Sequence, residues 1–215
     1  RKNTLWVGTY GGGLYYYNQD TESFFNCNTG SSSLIGSIYE SSSGELWVGL
    51  LGTDGGLGLY DQKSDSLVKF SYKKINPRST KSSDYIMSVR TIKEGRDNNL
   101  WLATWEDGIL KFNPKTKIFT QFKDSQLSGV RILTLYIDSK NVIWIGTFAG
   151  GLIRFDPASN NFKTYRYSES NQNGPAGDRV SSICAENENL LWLATNGGLS
   201  LFDSKAEKFL PVIVT

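Results

Sequence analysis

Trp105-Glu106-Asp107 puts an indole and two carboxylates at three consecutive positions. Aromatic faces stack on the apolar faces of sugar rings, and carboxylates and amides accept hydrogen bonds from sugar hydroxyls, so this tripeptide has the chemistry of a saccharide contact. Tyr10, Phe148 and Asn196 occupy the same place as Trp105, each directly after a Thr (Thr9, Thr104, Thr147, Thr195). Asp54 lies in the corresponding, longer stretch "LLGTDGG". The competing reading is that these aromatics close the core over neighbouring segments.

Other chemistries are disfavoured. The chain has no histidine, which removes the commonest general base and metal ligand. Glycoside hydrolysis needs two carboxylates at a set separation, and no pair stands out from surface charge. No cofactor or metal is expected. With 23 basic and 21 acidic side chains the formal charge is +2, too balanced for a phosphate-binding surface, so no nucleic-acid partner is expected. Lys73, Lys74, Arg78 and Arg166 are either contacts for an anionic sugar or a solvated face. The longest apolar run, near "FLPVIV", is too short to span a bilayer, so this segment itself makes no membrane contact. Cys27 and Cys184 are far apart; two buried free thiols are preferred over a disulfide.

The elements that position these residues repeat. "LWVGTYGGGLYYYN" returns as "LWVGLLGTDGGLGLYD", "LWLATWEDGILKFN", "IWIGTFAGGLIRFD" and "LWLATNGGLSLFD", anchored on Trp6, Trp47, Trp101, Trp144 and Trp192. Twelve residues before the later four anchors stand Ile35, Val89, Ile132 and Val180; nine before stand Ile38, Ile92, Leu135 and Ile183. Each unit closes its next apolar stretch on Asn18, Asp61, Asn113, Asp156 or Asp203, with Phe24, Leu67, Phe119, Phe162 or Phe209 six residues on.

This pattern reads as four short strands per unit, with no helical period anywhere. Glycines before Leu14, Leu57, Leu152 and Leu199, and the single one in "EDG", supply the positive φ of a tight hairpin. The Asn or Asp can accept from the backbone two residues on and nucleate the next turn. The Trp, with Gly or Ala two residues later, packs one sheet on the next. The expected fold is all-β, a β-propeller of four-stranded antiparallel blades at about 1–29, 30–72, 84–124, 129–168 and 178–215. The first blade lacks its innermost strand. The whole of 1–215 is therefore expected to be a partial propeller, either an open arc or a ring closed by sequence elsewhere in a longer chain.

The phrase "LWIGT…GGL…FD…T…F", best preserved in "VIWIGTFAGGLIRFDPASNNF", resembles the two-component regulator propeller repeat over essentially the whole chain. That resemblance implies a non-catalytic periplasmic sensor region of a hybrid two-component protein of Bacteroides-like bacteria. It implies further propeller blades, a β-sandwich, a membrane helix and a histidine kinase elsewhere in the parent, which would be a homodimer. It also implies an oligosaccharide ligand released from polysaccharide. A protein-interaction scaffold is the alternative, and a propeller lyase or glycosidase a more distant one.

Overall fold

A computed structural model describes residues 4–30, 34–52, 55–70, 88–105, 107–170 and 173–212. Asp54, Glu106, Lys73, Lys74 and Arg78 lie outside the described residues. The chain divides into two compact units, Arg1–Gln121 and Phe122–Thr215. Among the described residues no helix is long and apolar enough to cross a membrane.

The strands form five antiparallel meanders. The first sheet contains β1 (Trp6–Gly8), β2 (Leu14–Asn18) and β3 (Ser23–Asn26). The second contains β4 (Ile35–Glu40), β5 (Leu46–Leu50), β6 (Gly56–Asp61) and β7 (Ser66–Phe70). The third contains β8 (Val89–Glu94), β9 (Leu100–Thr104), β10 (Ile109–Asn113) and β11 (Ile118–Phe122). The fourth contains β12 (Ile132–Ile137), β13 (Ile143–Thr147), β14 (Leu152–Asp156) and β15 (Asn161–Tyr165). The fifth contains β16 (Val180–Ala185), β17 (Leu190–Thr195), β18 (Gly198–Asp203) and β19 (Lys208–Leu210). The fold is an all-β one of propeller blades, as the repeat predicts. The only helical element among the described residues is a 3₁₀ turn at Ser125–Leu127, capped by Asp124.

The turns follow from single side chains. Asn18, Asp61, Asn113, Asp156 and Asp203 each accept from the backbone N–H two residues on, at 2.8–3.0 Å. Four residues past each of them the backbone turns left-handed, at Glu22, Asp65, Lys117, Asn160 and Glu207. The hairpin between the second and third strands always ends on a positive-φ glycine: Gly13, Gly56, Gly108, Gly151 or Gly198. At Gly151 a Cβ would sit 2.1 Å from the Tyr165 carbonyl oxygen, so close backbone approach excludes a side chain as well.

A further regularity explains an odd spacing. Positions twelve and nine before each Trp are three apart, and strict strand alternation would send them to opposite faces. Each first strand instead carries a register shift, between Ile35/Ser37, Val89/Thr91, Ile132/Thr134 and Val180/Ser182. The extra residues are Gly36, Arg90, Leu133 and Ser181. One bulged residue makes the spacing effectively even and returns both apolar side chains to the core.

Within the first unit, Trp47 packs edge-on to Phe112 of the next sheet at 5.5 Å, and Trp6 to Tyr60 at 5.8 Å. Within the second, Trp144 meets Phe202 at 5.2 Å. These three anchors therefore join sheet to sheet. Trp47, Trp101 and Trp144 are fully buried, whereas Trp6 and Trp192 are half-buried. The Trp144 indole donates to Asp138 at 3.0 Å, while the buried Trp47 Nε1 has no such partner.

Both cysteines are free thiols, but they are not both buried as expected: Cys27 is buried and Cys184 exposed. Cys184 pairs across the ladder with Trp192, itself half-buried, so it stands on a sheet face that is only partly covered. Burial pushes the Cys27 thiol up, with the nearby Tyr60 hydroxyl pulling the other way. Tyr60 donates to Asp65 Oδ1 at 2.5 Å, and the Asn28 N–H reaches the same oxygen at 2.9 Å. The strand leaving the first sheet is thereby latched to the second.

The Tyr60 hydroxyl, and then the Asn28 N–H, hold the Asp65 carboxyl below the usual carboxylate range. A depressed folded-state pKa contributes stability above the unfolded value of about 4, lost as pH falls through the folded value. Asp65→Asn, which suits the left-handed backbone, is expected to be less stable than the parent at pH 7. Urea unfolding of the two chains should converge as the pH falls through the lowered folded-state value of Asp65. A difference that stays constant with pH would refute the latch.

Candidate functional site: the turn face

The second-to-third-strand turns share one device. Thr147 Oγ1 donates to the Gly151 carbonyl at 2.8 Å and accepts from the Gly150 N–H at 2.7 Å. Thr104 does the same with Gly108 and Asp107, and Thr9 with Gly13 and Gly12. Thr195 closes the shorter last turn onto Gly198 and Gly197. In the second sheet Leu50 holds this position. The Thr hydroxyl therefore fixes the direction in which the following residue leaves the strand.

That following residue extends the ladder to the inter-sheet connection. Leu51, Trp105, Phe148 and Asn196 donate their backbone N–H to the carbonyls of Leu34, Ser88, Arg131 and Arg179, at 2.9–3.2 Å. All four acceptors stand thirteen residues before their own sheet's Trp. The chain segments that enter each sheet thus lie beside the turns.

The proposed contact residues differ in their surroundings. Tyr10 is 76% exposed and pairs by backbone with Leu34. Asp107 is 8% exposed; its N–H goes to Thr104 Oγ1 and its carbonyl accepts from Gln121 Nε2 at 2.8 Å, so it serves the turn's internal bonding. Trp105 is half-buried, with the Arg90 guanidinium 5.3 Å above its ring. Arg90 is the bulged residue of β8, and a bulge re-aims its side chain out of the alternation.

In the second unit, Phe148 and Asn196 converge on one residue. The Arg179 guanidinium lies 5.0 Å above the Phe148 ring, and its backbone N–H donates to Asn196 Oδ1 at 3.1 Å. Phe148 is 44% exposed and borders a hollow of about 320 Å³ lined by Gly129, Val130, Arg131, Ala149 and Gly150. Arg166 donates to the Ala149 carbonyl at 2.6 Å and pairs with Asp178 at 3.4 Å. The two arginines Arg90 and Arg179 were not among the residues singled out from sequence. A signal existed: Arg131 and Arg179 occupy the same register, and the threefold spacing marked a bulge at Arg90.

The first unit holds a second aromatic hollow, about 470 Å³, lined by Trp6, Tyr16, Tyr17 and Tyr60 with Asn18, Asp20 and Gln62. Among the described residues no group of three or more His, Cys, Asp or Glu is gathered that could hold a metal ion.

With this geometry in place, comparison with known proteins is informative. The family model described as "two component regulator propeller" matches residues 126–149, which run from the 3₁₀ turn through β12, β13 and the Phe148 turn. A curated relative, histidine kinase P4 of Formosa agariphila, is 28% identical over 156 residues, 65% of this chain and 10% of the relative. The extracellular domain of a putative one-component system from B. thetaiotaomicron superposes with TM-score 0.77 at 21% identity, over 93% of this chain and 26% of that one. Virginiamycin B lyase from Staphylococcus aureus superposes with TM-score 0.72 at 15% identity, over 99% of this chain and 67% of the lyase. The chain spans about a tenth of the histidine kinase and about a quarter of the extracellular domain. The structural likenesses show a shared propeller fold, and within it residues 126–149 match the two-component regulator propeller model.

Proposed function

We propose that this chain is part of the extracytoplasmic sensor region of a two-component signalling protein, periplasmic in location, whose turn face binds an oligosaccharide. The observation that carries the reading is the convergence of Phe148, Arg179 and Asn196 beside an open hollow. Phe148 lies at one end of the segment matching the two-component regulator propeller. The match to a histidine kinase supports coupling to a kinase elsewhere in a longer protein. Coupling requires that the ligand favour one arrangement of the parent, a homodimer in this reading, over another.

A lyase reading is weaker. Virginiamycin B lyase has a catalytically inactive His-to-Ala variant, and this chain contains no histidine. Its fold is shared without the residue type that variant removes.

The test is thermal unfolding of the 215-residue chain against a panel of plant, host and microbial oligosaccharides. A ligand at a hundred times its Kd stabilises by about 2.7 kcal/mol, a shift of about 5–10 °C for a chain of this size. One saccharide class should raise the melting temperature, and Phe148→Ala should abolish the rise. A cooperative melt that no saccharide moves would refute the ligand assignment and favour a protein-binding scaffold.

A further inference from the structure

We infer that the ligand of this face is an anionic saccharide, bearing uronate carboxylates or sulfate esters, and that Arg179 is the residue that reads its charge. The inference rests on the saccharide reading above and narrows it.

Phe148 and Trp105 follow the repeated Thr, where a bare ring would offer a stacking platform. Instead each ring carries a guanidinium, Arg179 at 5.0 Å and Arg90 at 5.3 Å. A guanidinium seated over a ring keeps N–H donors for a second partner. Those donors match the fork of a carboxylate or the oxygens of a sulfate. Among the described residues Arg179 forms no ion pair, whereas the neighbouring Arg166 is paired with Asp178. Arg179 is therefore held by a ring and by its backbone bond to Asn196, with its charge uncommitted.

The surroundings agree in sign. Arg131 borders the same hollow as Phe148, and Arg166 touches Ala149 on its rim. Asp178, the acid beside Arg166, is already committed to Arg166 and the Tyr167 N–H. A neutral sugar can take only hydrogen bonds to its hydroxyls from this guanidinium, while a uronate or sulfated residue seated against Phe148 adds a charge-assisted, forked pair with a preorganised cation. Orientation by the ring lowers the entropy lost on binding, which favours Arg over a free Lys here.

The test is calorimetric titration of the 215-residue chain with matched pairs of probes. One pair is oligogalacturonate and its methyl ester; the other is a chondroitin sulfate hexasaccharide and its desulfated form. At least one charged member should bind tenfold or more tightly than its neutralised partner, and more weakly as salt rises. Which pair responds separates carboxylate from sulfate recognition. Arg179→Met should erase that preference, Arg179→Lys should restore only part of it, and Lys205→Met, in the turn between β18 and β19, should leave it intact. Equal affinity for charged and neutral members, unchanged by Arg179→Met, would overturn the inference and leave the saccharide reading standing. Absence of binding by every probe to a chain that melts cooperatively would overturn both.

Discussion

Gly146→Val should destabilise the protein by about 3 kcal/mol, the upper end of what overpacking a tight site costs. Gly146 stands two residues after Trp144. A Cβ there would lie 2.6 Å from the Val180 carbonyl oxygen and 2.6 Å from Thr134 Cγ2. The first of these neighbours is backbone of β16 and has no rotamer to adopt, so relief requires moving the fifth sheet away from the fourth. That movement would open the core of Trp144, Leu152, Val180, Leu193 and Phe202. Gly146→Ala tests the contact with one atom: relief of unfolded-state entropy would favour Ala by about 0.5–1 kcal/mol, and the clash must outweigh it. The melting temperature should fall by about 6–12 °C for the Val variant. A fall of under about 1 °C would mean that the sheets do not touch through this glycine. Gly49 is the same device in the first unit, 2.5 Å from the Val89 carbonyl oxygen, whereas Ala103 already fills the equivalent place in the third sheet.

Thr147→Val should cost about 2–3 kcal/mol although it changes the side chain's shape hardly at all. The hydroxyl is buried and makes two bonds, one in each direction, to the Gly151 carbonyl and the Gly150 N–H. Valine leaves that N–H without its acceptor inside a tight turn and weakens the turn's closure onto Gly151. Thr147→Ser keeps both bonds and should lose well under half as much. Thr195→Val removes the same pair of bonds from an exposed turn, where water replaces them, so its cost should be under about 1 kcal/mol. Urea midpoints for the three variants decide the matter. Equal losses at Thr147 and Thr195 would show that the turn, and not burial, sets the energy. Because Thr147 also aims Phe148, its Val variant should weaken the saccharide response more than its stability loss alone accounts for.

The repeat was legible in the sequence because its determinants are local. The positive φ of Gly13, Gly56, Gly108, Gly151 or Gly198, and the carboxylates of Asp61 and Asp156, shape the chain within four residues of themselves, so type and spacing suffice to read the turn. The apolar anchors are equally direct: Trp47 and Trp144 must bury their rings, and only a stacked neighbour can accept them. The all-β class, the four-strand unit and the sheet-on-sheet packing follow from those facts.

The candidate site was legible only in outline. Sequence placed Trp105, Phe148 and Asn196 at one register, but Asp107, in the same tripeptide as Trp105, turned out to be buried in the turn's own bonding. The bulge at Arg90 and the seat of Arg179 over Phe148 come from chain segments thirty-one residues apart in the second case and a broken alternation in the first. What the sequence alone determined is therefore everything that depends on neighbours along the chain: strands, turns and which face is apolar. What only the tertiary structure decided is which cation covers which ring and which carboxylates are already paired. The Arg179–Phe148 contact joins the connection into the fifth sheet to a turn of the fourth, and its geometry exists only once the sheets have stacked.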